Sequence, residues 1–161
     1  MRRWRICLRL SVACLTGAPA FAACMGVGAQ YRLADDPTGA VAQLILMPAT
    51  EPSAYSDLDL VLTVRDLPEP ERLALTASNG YGATYAIPLG PMITGDSLSI
   101  EVFADVAGKL SPYPGTLPQS DTPAPDAIFV TDLGQSLFYA TAVKPMQFYI
   151  PSGMWYLSGC D

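Results

Sequence analysis

Residues 58–64 of the chain read LDLVLTV, an alternation of apolar and polar residues that is typical of a β-strand. Successive side chains of a strand point to opposite faces, so one face collects Leu58, Leu60, Leu62 and Val64. The other face carries Asp59, Val61 and Thr63. Because a strand with one apolar face must cover that face, this stretch predicts a half-buried strand in an antiparallel sheet.

The same kind of stretch recurs along the chain, separated by turn residues. The dipeptide Asn79-Gly80 favours a tight hairpin, since both residues tolerate positive φ. No helical periodicity longer than a turn or two interrupts the pattern. Strands are therefore expected at Ala40–Met47, Leu58–Val64, Arg72–Ser78, Ala83–Leu89, Ser97–Val106, Ala127–Leu133, Ser136–Val143, Met146–Ile150 and Met154–Ser158.

Nine short strands predict an all-β protein with a single domain at residues 23–161. The expected architecture is an antiparallel β-sandwich, immunoglobulin-like or transthyretin-like. A small β-barrel is the alternative, because strand spacing alone does not distinguish two packed sheets from one closed sheet.

Residues 1–22 have the features of a secretory signal peptide. Arg2, Arg3 and Arg5 form a basic start, an apolar stretch follows, and Ala20-Phe21-Ala22 offers the small residues at which signal peptidase cuts. No later stretch is apolar enough over about 20 residues to form a transmembrane helix. The expected location is therefore periplasmic or extracellular.

Removal of residues 1–22 would leave a strongly acidic chain. The whole sequence has 9 basic and 15 acidic residues. Four of the basic residues lie before residue 23 and all of the acids lie after it, which leaves five bases against fifteen acids, a formal charge of −10. Such a surface repels phosphate backbones, so nucleic acid is not expected as a partner.

Two of the four cysteines, Cys24 and Cys160, lie beyond the predicted leader. An even pair in an oxidising compartment predicts one disulfide that joins the two ends of the domain. The competing interpretation is a lipobox, Phe21-Ala22-Ala23-Cys24, with a lipid on the Cys24 sulfur. That alternative would make the protein an envelope lipoprotein anchored to a membrane.

Most catalytic chemistry is excluded by composition. The chain has no histidine, no phosphate-binding glycine loop and no nucleophile motif, so no catalytic residue, metal site or cofactor is predicted. Carboxylates remain: Asp57 and Asp59 would share a strand face, and Asp35, Asp36, Asp121, Asp126 and Asp132 could gather around calcium. A small carboxylate-dependent hydrolase acting on cell wall or polysaccharide is therefore an alternative function.

Two features predict a surface for a partner. Residues 107–126 form a proline-rich connection that contains Tyr113 and Pro114. The C-terminal strands would present an outward row of Tyr139, Tyr149 and Tyr156, with Trp155 and two phenylalanines inward. The sequence thus predicts an exported, non-catalytic binding or accessory module of the cell envelope. Its partner would be another envelope or secreted protein.

Overall fold

Nine antiparallel strands and one helix form the part of the chain that the structure describes. The structure is a computed structural model and describes residues 24–36, 38–80, 82–90, 92–93, 97–141 and 148–160. Within these ranges, no helix is both long and apolar enough to cross a membrane. The elements are β1 (Ala29–Leu33), β2 (Ala42–Pro48), β3 (Leu58–Val64), β4 (Glu71–Ala77), β5 (Thr84–Pro88), β6 (Leu98–Val106), β7 (Lys109–Pro112), β8 (Ala127–Val130), α1 (Leu133–Thr141) and β9 (Met154–Cys160).

Eight of these strands close into a barrel. The order around the sheet is β5-β4-β3-β2-β1-β9-β8-β6, and β5 pairs with β6 through Tyr85↔Ser99 and Ala86↔Leu98 to complete the circle. Strand β7 pairs with the C-terminal half of β6, from Phe103 to Val106, as an additional ninth strand. The all-β class and the small-barrel alternative are confirmed, whereas this pairing does not confirm a two-sheet sandwich.

Alternation of side chains fills the inside of the barrel. On β2 and β3, Leu44 lies opposite Leu62 and Leu46 opposite Leu60, and all four are fully buried. The interior of an eight-stranded barrel is just wide enough for such side chains to fill it. Burial of these leucines, each contributing about 2 kcal/mol when fully removed from water, drives closure of the sheet.

Helix α1 closes one end of the barrel, which we call the helix end. Leu133, Leu137 and Thr141, spaced four residues apart, are its buried face. Residues four apart share a helix face, so this spacing lets one short helix cover the open core. Gly134 packs directly against the carbonyl of Ile150, leaving no room for a side chain.

The helix corrects two predicted strands. The prediction of a strand at Ser136–Val143 is wrong, because residues 136–141 belong to α1. Of the strand predicted at Met146–Ile150, residues 146 and 147 lie outside the described residues. Residues 148–150 belong to no strand. The adjacent aromatic residues of these stretches resemble the alternation of a strand, which explains the wrong prediction. In the structure the end of the barrel is covered by a helix instead.

The opposite end of the barrel, which we call the segment end, is covered by the proline-rich segment, Ala107–Asp126. The prediction of one continuous connection there is partly wrong, because Lys109–Pro112 forms β7. A turn at Ala107-Gly108 joins it to β6, with both residues at positive φ. Strand β1, which the sequence analysis missed, begins at this end and pairs with β2 and β9.

Candidate functional site

A groove of about 550 Å³ opens at the segment end of the barrel. Ala54 and Tyr55 of the β2–β3 loop and Ala104 of β6 line it, together with ten residues between Tyr113 and Asp126. Tyr113 and Pro114, both predicted to bind a partner, are among these ten. The volume is that of a typical ligand site.

The N-terminal residues of the domain hold one side of the proline-rich segment. The Ala124 amide donates to the Cys24 carbonyl at 2.7 Å, and the Gly26 amide donates to the Thr122 carbonyl at 2.9 Å. Between them, Met25 and Pro123 form an antiparallel bridge. This side of the groove is therefore fixed by backbone pairing.

The β2–β3 loop holds the other side of the segment. The Ser56 hydroxyl donates to the Pro118 carbonyl at 2.7 Å, and the Ser120 amide donates to Asp57 Oδ1 at 2.8 Å. The Ser120 hydroxyl also donates to Asp57 Oδ2, and these bonds hold the pKa of the Asp57 carboxyl below its ordinary value. Contacts from both sides make the segment a fixed wall.

Tyr113 joins the beginning of the segment to its end. Its hydroxyl donates to the Pro123 carbonyl at 2.6 Å and lies 3.1 Å from Thr122 Oγ1. Its amide donates to the Val102 carbonyl of β6 at 3.0 Å, which fixes the backbone next to the barrel. The segment is therefore a loop closed by its own tyrosine.

One carboxylate belongs to the groove. Of the thirteen described residues that line it, only Asp126 carries a charge. Asp126 Oδ2 accepts the Asp105 amide at 2.7 Å, and no described residue donates to Oδ1. Oδ1 is therefore left as an acceptor for another donor.

A buried tyrosine lies close to this carboxylate. Tyr31 on β1 is fully buried, and its hydroxyl has no hydrogen-bond partner among the described residues. Burial raises the pKa of Tyr31, and the nearby Tyr113 and Asp126 raise it further. The phenol is therefore neutral at physiological pH, and the carboxylate of Asp126 lies within its electrostatic reach.

The three C-terminal tyrosines are exposed but do not form one sheet row. Tyr139 lies on α1, Tyr149 in the connection before β9, and Tyr156 on β9, with exposed fractions of 66, 69 and 42%. Trp155 is buried as expected, and Tyr156 next to it faces outward, because adjacent side chains of a strand point to opposite faces. The predicted row on three consecutive strands is wrong, since two of the three residues lie outside strands.

Four of the candidate carboxylates of the sequence, those of Asp36, Asp57, Asp59 and Asp126, have structural partners. Asp59 is buried and forms an ion pair with Arg72 at 2.8 Å, while Asp57 binds Ser120. Asp36 accepts the amides of Ala40 and Val41 at 3.0 and 2.6 Å. In the described ranges, no three Asp, Glu or Cys residues are close enough together to hold a metal ion, so the possible calcium cluster finds no support.

Cys24 and Cys160 lie at disulfide distance, with their Cα atoms 5.8 Å apart. The pairing predicted from the cysteine count is confirmed. The bond links the N-terminal residues 24–26, whose backbone pairs with Thr122 and Ala124, to the end of β9. The cysteine pair and the groove are thus structurally connected.

The groove residues Gln119 and Thr122 were missed by the sequence analysis. The Gln119 side chain binds Tyr55 and Asp57, more than 60 residues away, and Thr122 binds Tyr113. No local pattern marks such contacts.

Comparison with protein-family models, curated proteins and solved structures finds no match for this chain.

Proposed function

We propose that the protein is an exported, non-catalytic binding module of the cell envelope, working in the periplasm or outside the cell. In this proposal the groove beside the proline-rich segment binds a segment of another exported protein. The observation that carries the proposal is the groove itself, about 550 Å³ in volume and lined by Tyr113 and Pro114.

The rigidity of the groove supports a binding role. Binding that must first order a loop loses part of its favourable free energy to conformational entropy. Here residues 24–26, the β2–β3 loop and the Tyr113 hydroxyl already fix the segment. Proline adds to this, because its ring restricts φ in the unbound state as well. A partner would therefore meet a preformed surface.

The cysteine pair supports export rather than lipidation. A sulfur that is bound to Cys160 cannot also carry a diacylglycerol group, so the lipoprotein alternative requires the Cys24–Cys160 pair to be absent. Disulfides persist mainly in oxidising compartments. Intact mass spectrometry of the exported protein should give an N-terminus at Ala23 and no acyl chains. A mass increased by a diacylglycerol would contradict this part of the proposal.

The acidic residues at the groove support a non-catalytic role. A carboxylate-dependent hydrolase needs two acids free to act on one substrate bond. Asp126 holds the amide of Asp105, and Asp105 Oδ1 accepts the amide of Gly108 at 2.7 Å. Both side chains thus position backbone. No feature of the described residues favours the hydrolase over the binding module.

Position-dependent photocrosslinking tests the proposal. p-Benzoylphenylalanine would replace Thr116, an exposed residue of the groove, in the cells that export the protein. The same replacement at Glu69, exposed in the β3–β4 turn, is the control, and Tyr149 tests the aromatic surface. We expect a crosslinked exported protein from position 116 alone. Equal crosslinking at position 69, crosslinking only at position 149, or none at 116 would contradict the proposal.

A further inference from the structure

We infer that the groove selects a polypeptide segment in which basic and apolar side chains alternate. This inference rests on the proposed function and names the chemistry of the partner. It is argued from charge, from the two tyrosines and from the apolar lining.

The charge of the groove favours a cation. Asp126 offers Oδ1 to a ligand, and Asp105 and Asp121 directly adjoin lining residues in the sequence. No lysine or arginine is among the thirteen described lining residues. Lys109, the basic residue of the segment, lies at the hairpin tip opposite Val106. A lysine or arginine side chain of a partner would thus meet an uncompensated negative field.

The tyrosines present rings rather than hydroxyls to a ligand. The Tyr113 hydroxyl donates to the Pro123 carbonyl, and the Tyr55 hydroxyl donates to Asn79 Oδ1. Since both hydroxyls already have partners, the remaining surface of each side chain is its ring. The faces of aromatic rings attract ammonium and guanidinium groups. They also pack against aliphatic side chains.

The remaining lining requires apolar groups in the ligand. Ala54, Ala104, Pro114 and Pro123 contribute carbon surface to the groove. A small free amine would leave most of that surface exposed to solvent. A segment of alternating leucine and lysine would cover it with the leucine side chains and place the lysine ammonium groups near Asp126. Burial of apolar surface would add about 25 cal/mol per Å² to the charge term.

Calorimetric titration with defined peptides tests the inference. The probe is a blocked hexapeptide of alternating leucine and lysine, compared with hexapeptides in which glutamine or glutamate replaces lysine, and with free lysine. We expect the lysine peptide to bind at least about tenfold more tightly than the glutamine peptide, a difference of about 1.4 kcal/mol. Free lysine and the glutamate peptide should not bind measurably. Added salt should weaken the lysine peptide selectively.

Two variants connect the preference to the groove. Asp126→Asn keeps an oxygen acceptor for the Asp105 amide but removes the charge, and should weaken the lysine peptide about tenfold. Asp35→Asn removes an exposed charge at the helix end and should leave binding unchanged. Thr116→Lys places a cation on the exposed lip and should reduce the preference for the lysine peptide over the glutamine peptide, a test that remains even if Asp126→Asn fails to fold.

Specific results would overturn the inference. Equal affinity for the lysine and glutamine peptides would do so, as would an equal loss in Asp126→Asn and Asp35→Asn. Binding of free lysine as tight as that of the peptide would identify a small amine as the ligand instead. Crosslinking at position 116 without a preference for the lysine peptide would refute the basic segment and leave the proposed function intact.

Discussion

Two aspartates hold backbone turns in place by accepting several hydrogen bonds each. The amide of Val41 contributes most to lowering the pKa of Asp36, and the hydroxyl of Ser120 contributes most to lowering that of Asp57. A carboxylate that accepts hydrogen bonds is stabilised in its charged form. At the scale of single residues, these two acids therefore stabilise the fold only while ionised.

The first prediction concerns pH. Because both pKa values are lower in the folded state than the ordinary 3.8, the stabilisation is fully present above about pH 5. It is lost as pH falls further, through the folded pKa values. The double variant Asp36→Asn/Asp57→Asn should therefore show a flatter dependence of unfolding free energy on pH between about 5 and 3. Chemical unfolding across that range measures it, and an unchanged slope would be contrary to expectation.

The second prediction concerns Gly26, whose amide donates to the Thr122 carbonyl of the proline-rich segment. A Cβ at this position would overlap the Gln119 carbonyl oxygen and lie 2.8 Å from Leu58 Cδ1. Gly26→Ala should lower the free energy of unfolding by about 1–3 kcal/mol, as overpacking does. Gly159→Ala is the control, because nothing lies within 4 Å of its added Cβ. Equal stability of the two variants would contradict the close approach.

At the scale of elements, the proline-rich segment is a docked part of the barrel. Leu117 is 3% exposed and belongs to the main core, whereas Leu110 on β7 is 40% exposed. Both leucines lie in the same 20-residue segment. Their different burial shows that the segment contributes to the core beyond its hairpin.

The third prediction compares these two leucines. Leu117→Ala should destabilise the protein by about 2–3 kcal/mol, since a buried side chain is removed. Leu110→Ala should change stability by less than about 1 kcal/mol, as substitutions on the surface usually do. Urea unfolding midpoints with unchanged slopes measure both. Small and equal effects would mean that the segment does not pack on the barrel.

Strands that alternate strongly could be predicted, and elements that depend on distant contacts could not. Leu58–Val64 has its predicted bounds, because its own leucines determine which face is buried. The sequence of helix α1, LGQSLFYAT, also fits a strand. Its buried face becomes evident only when the end of the barrel that it covers is known. Strand β1 alternates Ala29, Tyr31 and Leu33, so this pattern could have revealed it.

The candidate site divides in the same way. Tyr113 and Pro114 could be found from the unusual proline content of their segment. Gln119, Thr122 and the position of Asp126 follow from contacts with the β2–β3 loop, with Gly26 and with β6, respectively. Such contacts form between residues far apart in the sequence. They therefore require the closed barrel before they can be recognised.

At the scale of the whole molecule, the cysteine pair joins the first described residue to the end of the last strand. Cys24 and Cys160 are separated by 136 positions, and β1 pairs with β9 beside them. In the chain-entropy account, a cross-link across such a long loop stabilises the fold by about 4–5 kcal/mol. The pair therefore lies beside the β1–β9 pairing, one of the strand pairings that form the barrel.

The fourth prediction is that loss of either cysteine has the same effect as loss of both. Cys160→Ala and the double variant Cys24→Ala/Cys160→Ala should each lower the free energy of unfolding by about 2–5 kcal/mol. Guanidinium unfolding measures the loss, and thiol titration of the unfolded, unreduced native protein should find no free thiol. Two reactive thiols, or a change below about 1 kcal/mol, would contradict the disulfide.

The most direct test of the proposed binding site is a nuclear magnetic resonance titration of the protein with the leucine–lysine hexapeptide. The account predicts that amide shifts change first at Tyr55, Tyr113, Gly115 and Ala124, which line the groove. Amides at the helix end, including Tyr139 and Tyr149, should remain unchanged. Shifts confined to Tyr139, Tyr149 and Tyr156, with the groove amides unmoved, would contradict it.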